Sequence, residues 1–533
     1  MKVQVAGYVL GIAIIILLCI IAEKFSDRFG MPALILFMFI GMVFGCDGIF
    51  KISFDDFTLA ETVCSLALVF IMFYGGFSTK WSAAKPVAGK AISLATLGVV
   101  ITAGITTVLC HMLLNMSFEE SFLVGAVLSS TDAASVFSIL RKKKLNLKHG
   151  TASILEVESG SNDPVAYMLT IIAISILKAS GSENIVWMVL LQIIIGVLVG
   201  CVLSVISIQI TTKTKIVSDG LDTIFIIAMV LSCYSLSTIL WGNAYLSLYL
   251  YGIIIGNSRI NNKQTLVHFF DGVTSLSQIL VFSLIGLLSY PSQMPKIIPT
   301  ALLIVAILTF VARPFAVSLL MMPCKCSLRQ CILISWAGLR GASSCVFAIM
   351  AVASGIRMKQ DLFHIVFMVT LFSVAFQGGL LPMISGKLKM VDSKADVRKT
   401  FTDYQEETAL QLTRMFIPEG HSWANKRVKE VGIPQGSLAL MIKRDKETMI
   451  PKGETLILPN DTVILSVPPY VPSEDEKLEE IVIERSHKWC FKSIGELALQ
   501  DDELITLIFR NNETIIPNGK TTIAEGDIVV LYR

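Results

Sequence analysis

The chain has 533 residues, of which 54% are hydrophobic and only 16% are charged, and its mean hydropathy is +0.70. Soluble domains carry about 25% charged residues, so most of this chain is too apolar for a protein that folds in water. The formal net charge of +3 is too small to indicate nucleic-acid binding. The shortage of charge ends near residue 388, and the sequence therefore predicts a membrane unit over 1–388 followed by a water-soluble tail.

Long apolar segments in the first unit predict about thirteen transmembrane helices, because a helix needs about 20 apolar residues to cross a bilayer. No clear cleavage site follows the first segment, so it is interpreted as a retained helix rather than a cleaved signal. Numbered as segments 1 to 13, their approximate bounds are 5–25, 32–46, 57–76, 88–113, 119–140, 149–178, 187–211, 219–239, 243–256, 268–290, 296–322, 328–355 and 361–387.

Lysine and arginine residues are concentrated in alternate loops between these segments. One set of loops carries about 16 of them and the opposite set about 6, and such an excess is typical of the cytoplasmic side. With an odd number of helices, the amino terminus is then predicted to lie outside and the tail in the cytoplasm.

Several ionisable side chains interrupt the apolar segments, where a charge is costly unless it faces a cavity or a partner. A set of this size exceeds what structure alone requires, so these residues are candidates for an ion pathway. Segment 5 contains Asp132, segment 6 contains Glu156, Glu158 and Asp163, segment 11 contains Arg313, and segment 12 contains Arg340.

Segments 5 and 12 have the features of a pair of discontinuous helices. Small residues and hydroxyls flank Asp132, and glycines flank Arg340. The two segments are seven apart, as expected if helices 1–6 and 8–13 are inverted repeats, and matching breaks point to an ion site near the midplane. Backbone carbonyls near Thr131 are candidate ligands for a dehydrated cation, although Thr131 is equally well explained as a polar link in the break.

The spacing within segment 6 indicates different roles for two of its acidic residues. Glu158 and Asp163 are five residues apart, so they point about 140° apart around a helix. Asp163 can then face Asp132 across the site, while Glu158 needs a different counter-ion, for which Arg313 is the natural choice. Glu156 lies on nearly the same face as Asp163 but closer to the cytoplasm, where it is a candidate for an entrance funnel.

Together these motifs resemble those of the monovalent cation/proton antiporter superfamily, in its NhaP-type branch, over roughly residues 1–390. The stretch 158–164, which includes the membrane-embedded Ser159, is similar to that of bacterial potassium/proton antiporters of the CvrA type. The motifs that carry the resemblance are Thr131-Asp132, Glu158 with Asn162-Asp163, Ala312-Arg313-Pro314 and Gly338-Leu339-Arg340-Gly341.

The resemblance implies a homodimer in the bacterial inner membrane that moves a core bundle against a dimerisation bundle in an elevator motion. It implies no cofactor, and it leaves open whether Arg340 is structural or senses pH. The implied cation- and proton-binding residues are Asp163, Asp132, Thr131 and Asn162, and the implied ion pair joins Glu158 to Arg313 with Asn162 holding it.

The tail contains two copies of one unit. His421-Ser422-Trp423 and His487-Lys488-Trp489 are 66 residues apart, and the same ungapped offset pairs Arg444 with Arg510 and Asp461 with Asp527. Each copy predicts a strand, a helix and a short meander. The sequence thus predicts an all-α polytopic membrane protein with a small α+β tandem-repeat domain. The predicted bounds are a charged linker at 389–410 and repeats at 411–470 and 477–533.

Each copy resembles the TrkA-C (RCK C-terminal) regulatory domain of potassium transport proteins. No Gly-x-Gly-x-x-Gly follows a strand in the tail, so a nucleotide-binding Rossmann half is not indicated. Two interpretations stay open for the tail. It is either a dimerisation module or a sensor for a small ligand such as a cyclic dinucleotide or another nucleotide.

Exchange of potassium, or else sodium, for protons is the leading functional hypothesis. A ligand-gated cation channel would need a selectivity filter or a ring of pore-lining charges, and no filter-like stretch occurs in the sequence. An enzyme is disfavoured because the membrane unit has no His-x-x-x-His pair, nucleophile elbow or phosphate-binding loop.

Overall fold

The computed structural model of the chain contains two compact units, Met1–Gln405 and Glu406–Arg533. Residues 392–410, which make up most of the predicted linker, lie outside the residues that the structure describes. The described residues are 2–29, 32–143, 145–178, 184–213, 221–258, 260, 263–356, 358–391, 411–434, 437–444, 447–467, 478–483, 485, 487–497, 504–510, 513–515 and 517–532.

The first unit is built from helices, as expected in lipid, where each backbone N–H and C=O group must be paired within the protein. Within the described ranges, nine continuous helical stretches are long and apolar enough to cross a membrane, and three shorter apolar helices accompany them. Each predicted segment contains a helix, which confirms the helical membrane unit. The helices are α1 (Lys2–Phe29), α2 (Ala33–Phe44), α3 (Phe57–Ser78), α4 (Trp81–Ala84), α5 (Ala88–Ser93), α6 (Val99–Leu114), α7 (Phe118–Val127), α8 (Ala133–Lys142), α9 (Thr151–Leu177), α10 (Ile185–Lys213), α11 (Asp222–Ile239), α12 (Ala244–Gly256), α13 (Lys263–Leu287), α14 (Met294–Ala306), α15 (Arg313–Met321), α16 (Leu328–Trp336), α17 (Ala342–Ala353), α18 (Leu362–Phe372) and α19 (Gly379–Lys387).

Two of the predicted segments are broken near the middle. Segment 5 forms α7 and α8 around a non-helical stretch at 128–132, and segment 12 forms α16 and α17 around a stretch at 337–341. Hydroxyl side chains in the first stretch compete with the helical backbone for hydrogen bonds. Glycines in the second stretch tolerate backbone conformations that other residues avoid. The predicted pair of discontinuous helices is therefore confirmed.

Three further helical stretches contain a π-helical segment, an irregularity that often lies at functional sites. One of them ends immediately before Arg313, and another contains Ser373 and Gln377, which lie beside the break in segment 12. The segments are Leu94–Gly98, Ile307–Ala312 and Ser373–Gly378.

The tail contains two small antiparallel sheets of the same topology. Their strand orders are β1-β6-β3-β4 and β7-β10-β8-β9, and β2 pairs with β5. This correspondence agrees with the 66-residue offset in the sequence. The strands are β1 (Gln411–Phe416), β2 (Lys426–Arg427), β3 (Leu438–Arg444), β4 (Glu447–Met449), β5 (Leu456–Ile457), β6 (Thr462–Val467), β7 (Leu478–Val482), β8 (Leu504–Arg510), β9 (Glu513–Ile515) and β10 (Ile528–Tyr532).

The predicted order of strand, helix and meander differs from the structure in one point. Where a helix was predicted after the first strand, the described residues of each copy form a single 3₁₀ turn, Val428–Glu430 or Ile494–Glu496. In the first copy Gly432 and Pro434 follow at once, and both residues disfavour a helix interior. The tail is therefore richer in strand than the predicted α+β unit.

An equivalent ion pair occurs in each copy of the tail unit. Arg444 donates two hydrogen bonds to Asp461, at 2.8 and 2.9 Å, and Arg510 donates two to Asp527, at 2.8 and 2.7 Å. Both aspartates are fully buried. Burial would raise the pKa of Asp461, but the hydrogen bonds from Arg444 and from the Leu458 N–H outweigh it and hold that pKa below its usual range. Both pairs are therefore ionised at neutral pH and fix the start of the last strand.

Candidate ion-binding site

The two broken helices are joined directly at their breaks. The Asp132 backbone N–H donates to the Leu339 carbonyl oxygen at 2.8 Å. A Cβ atom at Gly341 would lie 2.4 Å from the Asp132 Cβ, so only glycine allows the two chains to approach this closely. The breaks in segments 5 and 12 thus form one crossing in the protein interior.

Asp163 on α9 lies against this crossing. Its side chain is buried, and each carboxylate oxygen accepts a hydrogen bond from a serine hydroxyl. One oxygen contacts Ser130 in the first break, and the other lies 2.6 Å from the Ser343 hydroxyl at the start of α17. In the described part of the chain, no lysine, arginine or histidine nitrogen forms an ion pair with Asp163. The carboxylate is therefore solvated by hydroxyls and not neutralised by a fixed charge.

Asn162 and Ser159 connect α9 to Thr131. The Asn162 amide nitrogen donates to the Thr131 hydroxyl at 2.5 Å, and the Ser159 hydroxyl donates to the Thr131 carbonyl oxygen at 2.7 Å. The Asn162 amide thus contacts the first break, rather than the ion pair that the resemblance implied. The Thr131 carbonyl, a candidate cation ligand, already accepts one hydrogen bond.

Asp132 caps α8. Its carboxylate accepts hydrogen bonds from the Ser135 hydroxyl at 2.5 Å and the Ser135 backbone N–H at 3.3 Å, which satisfies a donor at the helix start. The carboxylate is also close enough to Asp163 for the two charges to interact. Asp132 therefore places negative charge beside Asp163 while holding the end of α8.

Glu158 and Arg313 lie side by side in the interior. The Arg313 Nη2 atom is 2.5 Å from the Glu158 Oε1 atom, and the two side chains are 2% and 1% exposed. Within the described residues, four side-chain atoms of this pair have no hydrogen-bond partner at a suitable angle. They are Nη2 and Nε of Arg313 and Oε1 and Oε2 of Glu158. Arg313 also packs on the second break, because a Cβ atom at Gly338 would lie 2.8 Å from Arg313 Nε. Charge attraction and close packing hold this pair together.

Arg340 connects the two breaks to the last helical stretch. Its Nη1 atom donates to the Ser130 carbonyl oxygen at 2.6 Å, and its backbone N–H donates to the Ser373 hydroxyl at 3.1 Å. The Ser373 hydroxyl in turn donates to the Gln377 side chain at 2.5 Å. Arg340 and Arg313 both line a narrow crevice, together with Ser335 and Gln377. The guanidinium of Arg340 thus satisfies the Ser130 carbonyl oxygen in the first break.

Sequence reasoning missed the two hydroxyls that bind Asp163. Ser130 and Ser343 each lie at the broken end of a discontinuous helix, and this position was the available signal. Glu156 was singled out and lies half-buried on α9, close enough to Tyr249 for an electrostatic interaction.

Comparison with protein families and known relatives agrees with this architecture. Residues 13–387 match the family model described as sodium/hydrogen exchanger, transmembrane, and residues 412–469 and 478–532 match the TrkA-C domain. The chain is 32% identical to the K(+)/H(+) antiporter NhaP of Alkalimonas amylolytica over 86% of this chain and 80% of that protein. It is 31% identical to the K(+)/H(+) antiporter NhaP2 of Shewanella oneidensis over 97% of this chain and 79% of that protein.

A solved structure has a similar fold. The sodium proton antiporter MjNhaP1 from Methanocaldococcus jannaschii, solved at pH 8, superposes with a TM-score of 0.64 at 22% identity. The match covers 73% of this chain and 99% of that one. The family match, the relatives and the fold agree, and the chain belongs to the sodium/hydrogen exchanger family of cation/proton antiporters.

Proposed function

We propose that this protein exchanges potassium ions for protons, one for one, across a bacterial inner membrane. The proposal rests on the environment of Asp163. Two hydroxyls contact this buried carboxylate, and in the described residues no basic side chain neutralises it. A buried carboxylate is stable when either a proton or a bound cation cancels its charge, so the two compete for one site. Arg313 keeps its charge at any relevant pH, so a single carboxylate carries the exchange and transport is electroneutral.

Potassium is proposed as the cation because the two relatives that match at 32% and 31% identity are both named K(+)/H(+) antiporters. A relative named Na(+)/H(+) antiporter 1, from Methanocaldococcus jannaschii, is 23% identical over 68% of this chain. Sodium/proton exchange is therefore the second candidate. A ligand-gated channel and an enzymatic activity find no support in the family match.

The proposal includes an orientation and an assembly. The excess of lysine and arginine in alternate loops supports an amino terminus outside and a tail in the cytoplasm. The homodimer is proposed from the resemblance to the antiporter superfamily. In this orientation the amino-terminal end of α9 faces the cytoplasm, where Glu156 is proposed to line the entrance.

The choice of cation is tested by exchange in vesicles that contain the purified full chain. Potassium, sodium, rubidium and lithium are supplied in turn, with and without a clamped membrane potential, and proton movement is followed with a pH-sensitive dye. We expect potassium to drive proton movement at a rate that does not depend on the potential. Activity with sodium but not potassium would overturn the choice of cation, and a rate that follows the potential would overturn the one-for-one ratio.

The tail is proposed to regulate exchange, and a contact at the start of the linker supports this role. The Lys148 backbone N–H donates to the Met390 carbonyl oxygen at 2.9 Å, and Leu147 pairs with Val391 as an antiparallel bridge. Leu147 and Met390 are both buried in one apolar cluster. Because residues 145–150 join α8 to α9, tension on the linker would reach α8, which Asp132 caps, and α9, which carries Asp163. A cyclic dinucleotide or another nucleotide is the proposed class of tail ligand.

Truncation after residue 395 is expected to leave a functional exchanger. The shortened chain keeps residues 389–391 and their contact with Lys148, so the membrane unit should fold and exchange ions, while its dependence on pH or on an added cyclic dinucleotide should change. Exchange in vesicles is measured for both chains at equal protein content. A correctly inserted truncated chain that exchanges nothing would contradict a purely regulatory tail.

A further inference from the structure

Glu61 on α3 is an acidic residue within an apolar helix that the ion site described above does not use. Its carboxylate accepts a hydrogen bond from the Ser65 hydroxyl, one turn along α3, at 3.0 Å. The Ser65 side chain also lies near the hydroxyl of Tyr245, the second residue of α12. Glu61 is the fifth residue of α3 and its side chain is half-buried.

Tyrosine side chains from three other helices lie in the neighbourhood of Glu61. Tyr167 on α9, Tyr234 on α11 and Tyr245 on α12 each lie close enough to interact electrostatically with its carboxylate. The Tyr167 and Tyr245 rings meet edge to face at 4.9 Å between centroids, and Tyr234 lies 6.2 Å from Tyr245. Within the described ranges no basic nitrogen forms an ion pair with Glu61. A carboxylate among hydroxyls and aromatic faces is an environment that attracts a cation.

Aromatic rings lie between Glu61 and Asp163. Tyr167 follows Asp163 by four residues on α9, and Phe347 follows Ser343 by four residues on α17, so each ring lies one turn further along its helix. The Tyr167 and Phe347 rings are 5.8 Å apart, and Tyr245 is 6.1 Å from Phe347. The three rings therefore cover Asp163 on the side of the carboxyl-terminal end of α9.

Glu61 lies on that same side. The helices α3 and α12 run parallel, because Gly252 packs beside Phe73 and Gly256 packs beside Phe77. The helices α9 and α12 run in opposite directions, because Gly160 packs beside Tyr249 whereas the Pro164 carbonyl accepts a hydrogen bond from Asn243, which precedes α12. The amino-terminal end of α3, which carries Glu61, is thus at the level of the carboxyl-terminal half of α9. In the proposed orientation this is the outer side.

We propose that Glu61, held by Ser65 and near the tyrosine cluster of Tyr167, Tyr234 and Tyr245, is a recruiting site for a monovalent cation on the outer path to Asp163. The inference rests on the antiport function proposed above. A carboxylate raises the local concentration of cations around it, which lowers the potassium concentration needed to saturate transport from that side. Glu61 does not carry the ion across the membrane, because the rings of Tyr167, Tyr245 and Phe347 lie between it and Asp163.

The test compares the Glu61→Gln variant with the wild-type chain in vesicles of known orientation, with potassium supplied at one face at a time. At low ionic strength we expect the apparent KM for potassium at the outer face to rise about tenfold, equivalent to about 1.4 kcal/mol. The maximal rate and the KM at the inner face should stay within about twofold of wild type. The difference at the outer face should shrink when an impermeant salt raises the ionic strength, because salt screens a recruiting charge.

Three further variants make the result specific to recruitment. Glu61→Asp keeps the charge and should restore most of the affinity, and Ser65→Ala keeps the charge but removes its hydrogen bond and should raise the outer KM by about threefold. Ser65→Ala also serves as the test if Glu61→Gln does not fold. Glu119→Gln removes an exposed charge from the first turn of α7, at the same proposed face, and should leave the KM unchanged.

An unchanged outer KM in Glu61→Gln, an equal rise at both faces, or a lower maximal rate with an unchanged KM would overturn the inference. These outcomes are distinct from a failure of the proposed function. In that case the wild-type chain itself would not exchange potassium for protons at either face.

Discussion

The Asp163→Asn variant is expected to lose exchange by more than about a thousandfold. The asparagine side chain has nearly the same shape and can still contact Ser130 and Ser343, but it can neither take up a proton nor cancel the charge of a cation. An uncompensated ion in a buried site costs several kcal/mol, and each 1.4 kcal/mol is a factor of ten. Cation-driven proton flux in vesicles measures the loss.

Two companion variants separate charge from folding. Asp163→Glu keeps the carboxylate but moves it by one methylene, so it should keep partial activity. Asp271→Asn removes an exposed aspartate on α13 and should exchange as the wild type does. Flux at the wild-type rate in a correctly folded Asp163→Asn protein would reject Asp163 as the carrier.

The second large effect is expected on stability, from separation of Glu158 and Arg313. Both side chains are almost completely buried, so Glu158→Gln or Arg313→Met alone leaves one uncompensated charge in the interior. The expected cost of each single change is about 3–5 kcal/mol, and the double variant should recover part of it because no charge is then left unpaired. Thermal unfolding of the purified protein in detergent, read as a double-mutant cycle, measures the coupling.

An exposed pair in the same chain provides the control for this cycle. Arg427 and Glu454 are 2.5 Å apart, but their side chains are 50% and 64% exposed. The coupling of such an exposed pair is expected to be below about 1 kcal/mol. Strictly additive losses for Glu158→Gln and Arg313→Met would show that the short distance between the two side chains has no energetic consequence.

The two predictions assign separate roles to Glu158 and Asp163, two of the acidic residues of α9. Glu158 lies 2.5 Å from Arg313, and the expected energetic coupling of this pair assigns its charge to structure and not to exchange. Among the described residues, Asp163 contacts the Ser130 and Ser343 hydroxyls and lies near the charge of Asp132, so the proposed function requires an incoming proton or cation to cancel its charge. Arg340 binds the Ser130 carbonyl, and this contact supports a structural role for it in the break that supplies one of those hydroxyls.

Local chemistry explains which features could be predicted from the sequence. A membrane requires long apolar helices, so these segments were visible in composition alone. The separation of Glu158 from Asp163 followed from the helical repeat, because five residues turn the chain by about 140°. The repeat in the tail was visible because its two copies keep the same residues at one constant offset.

Other features depended on contacts between distant segments. Serine is common in membrane helices, where it usually bonds to its own backbone, so the position of Ser130 and Ser343 at broken helix ends did not reveal that they bind Asp163. Asn162 was expected at the ion pair, yet it donates to Thr131, because the break in segment 5 lies on its side of α9. Glu61 was missed because its tyrosines come from three other helices.

By itself, the sequence of this protein determined that the first unit lies in lipid and the tail in water, and it located the acidic residues on α9 and the helix breaks. These features depend on neighbours within a few residues. Only the tertiary structure decided which hydroxyls hold Asp163, that Asp132 caps α8, and that three rings stand between Asp163 and Glu61. The physical reason is that hydrogen bonds and ring contacts require atoms within a few ångströms of each other. For residues 33 to 180 positions apart, such as Ser130 and Ser343 relative to Asp163, only the packing of the helices brings them together.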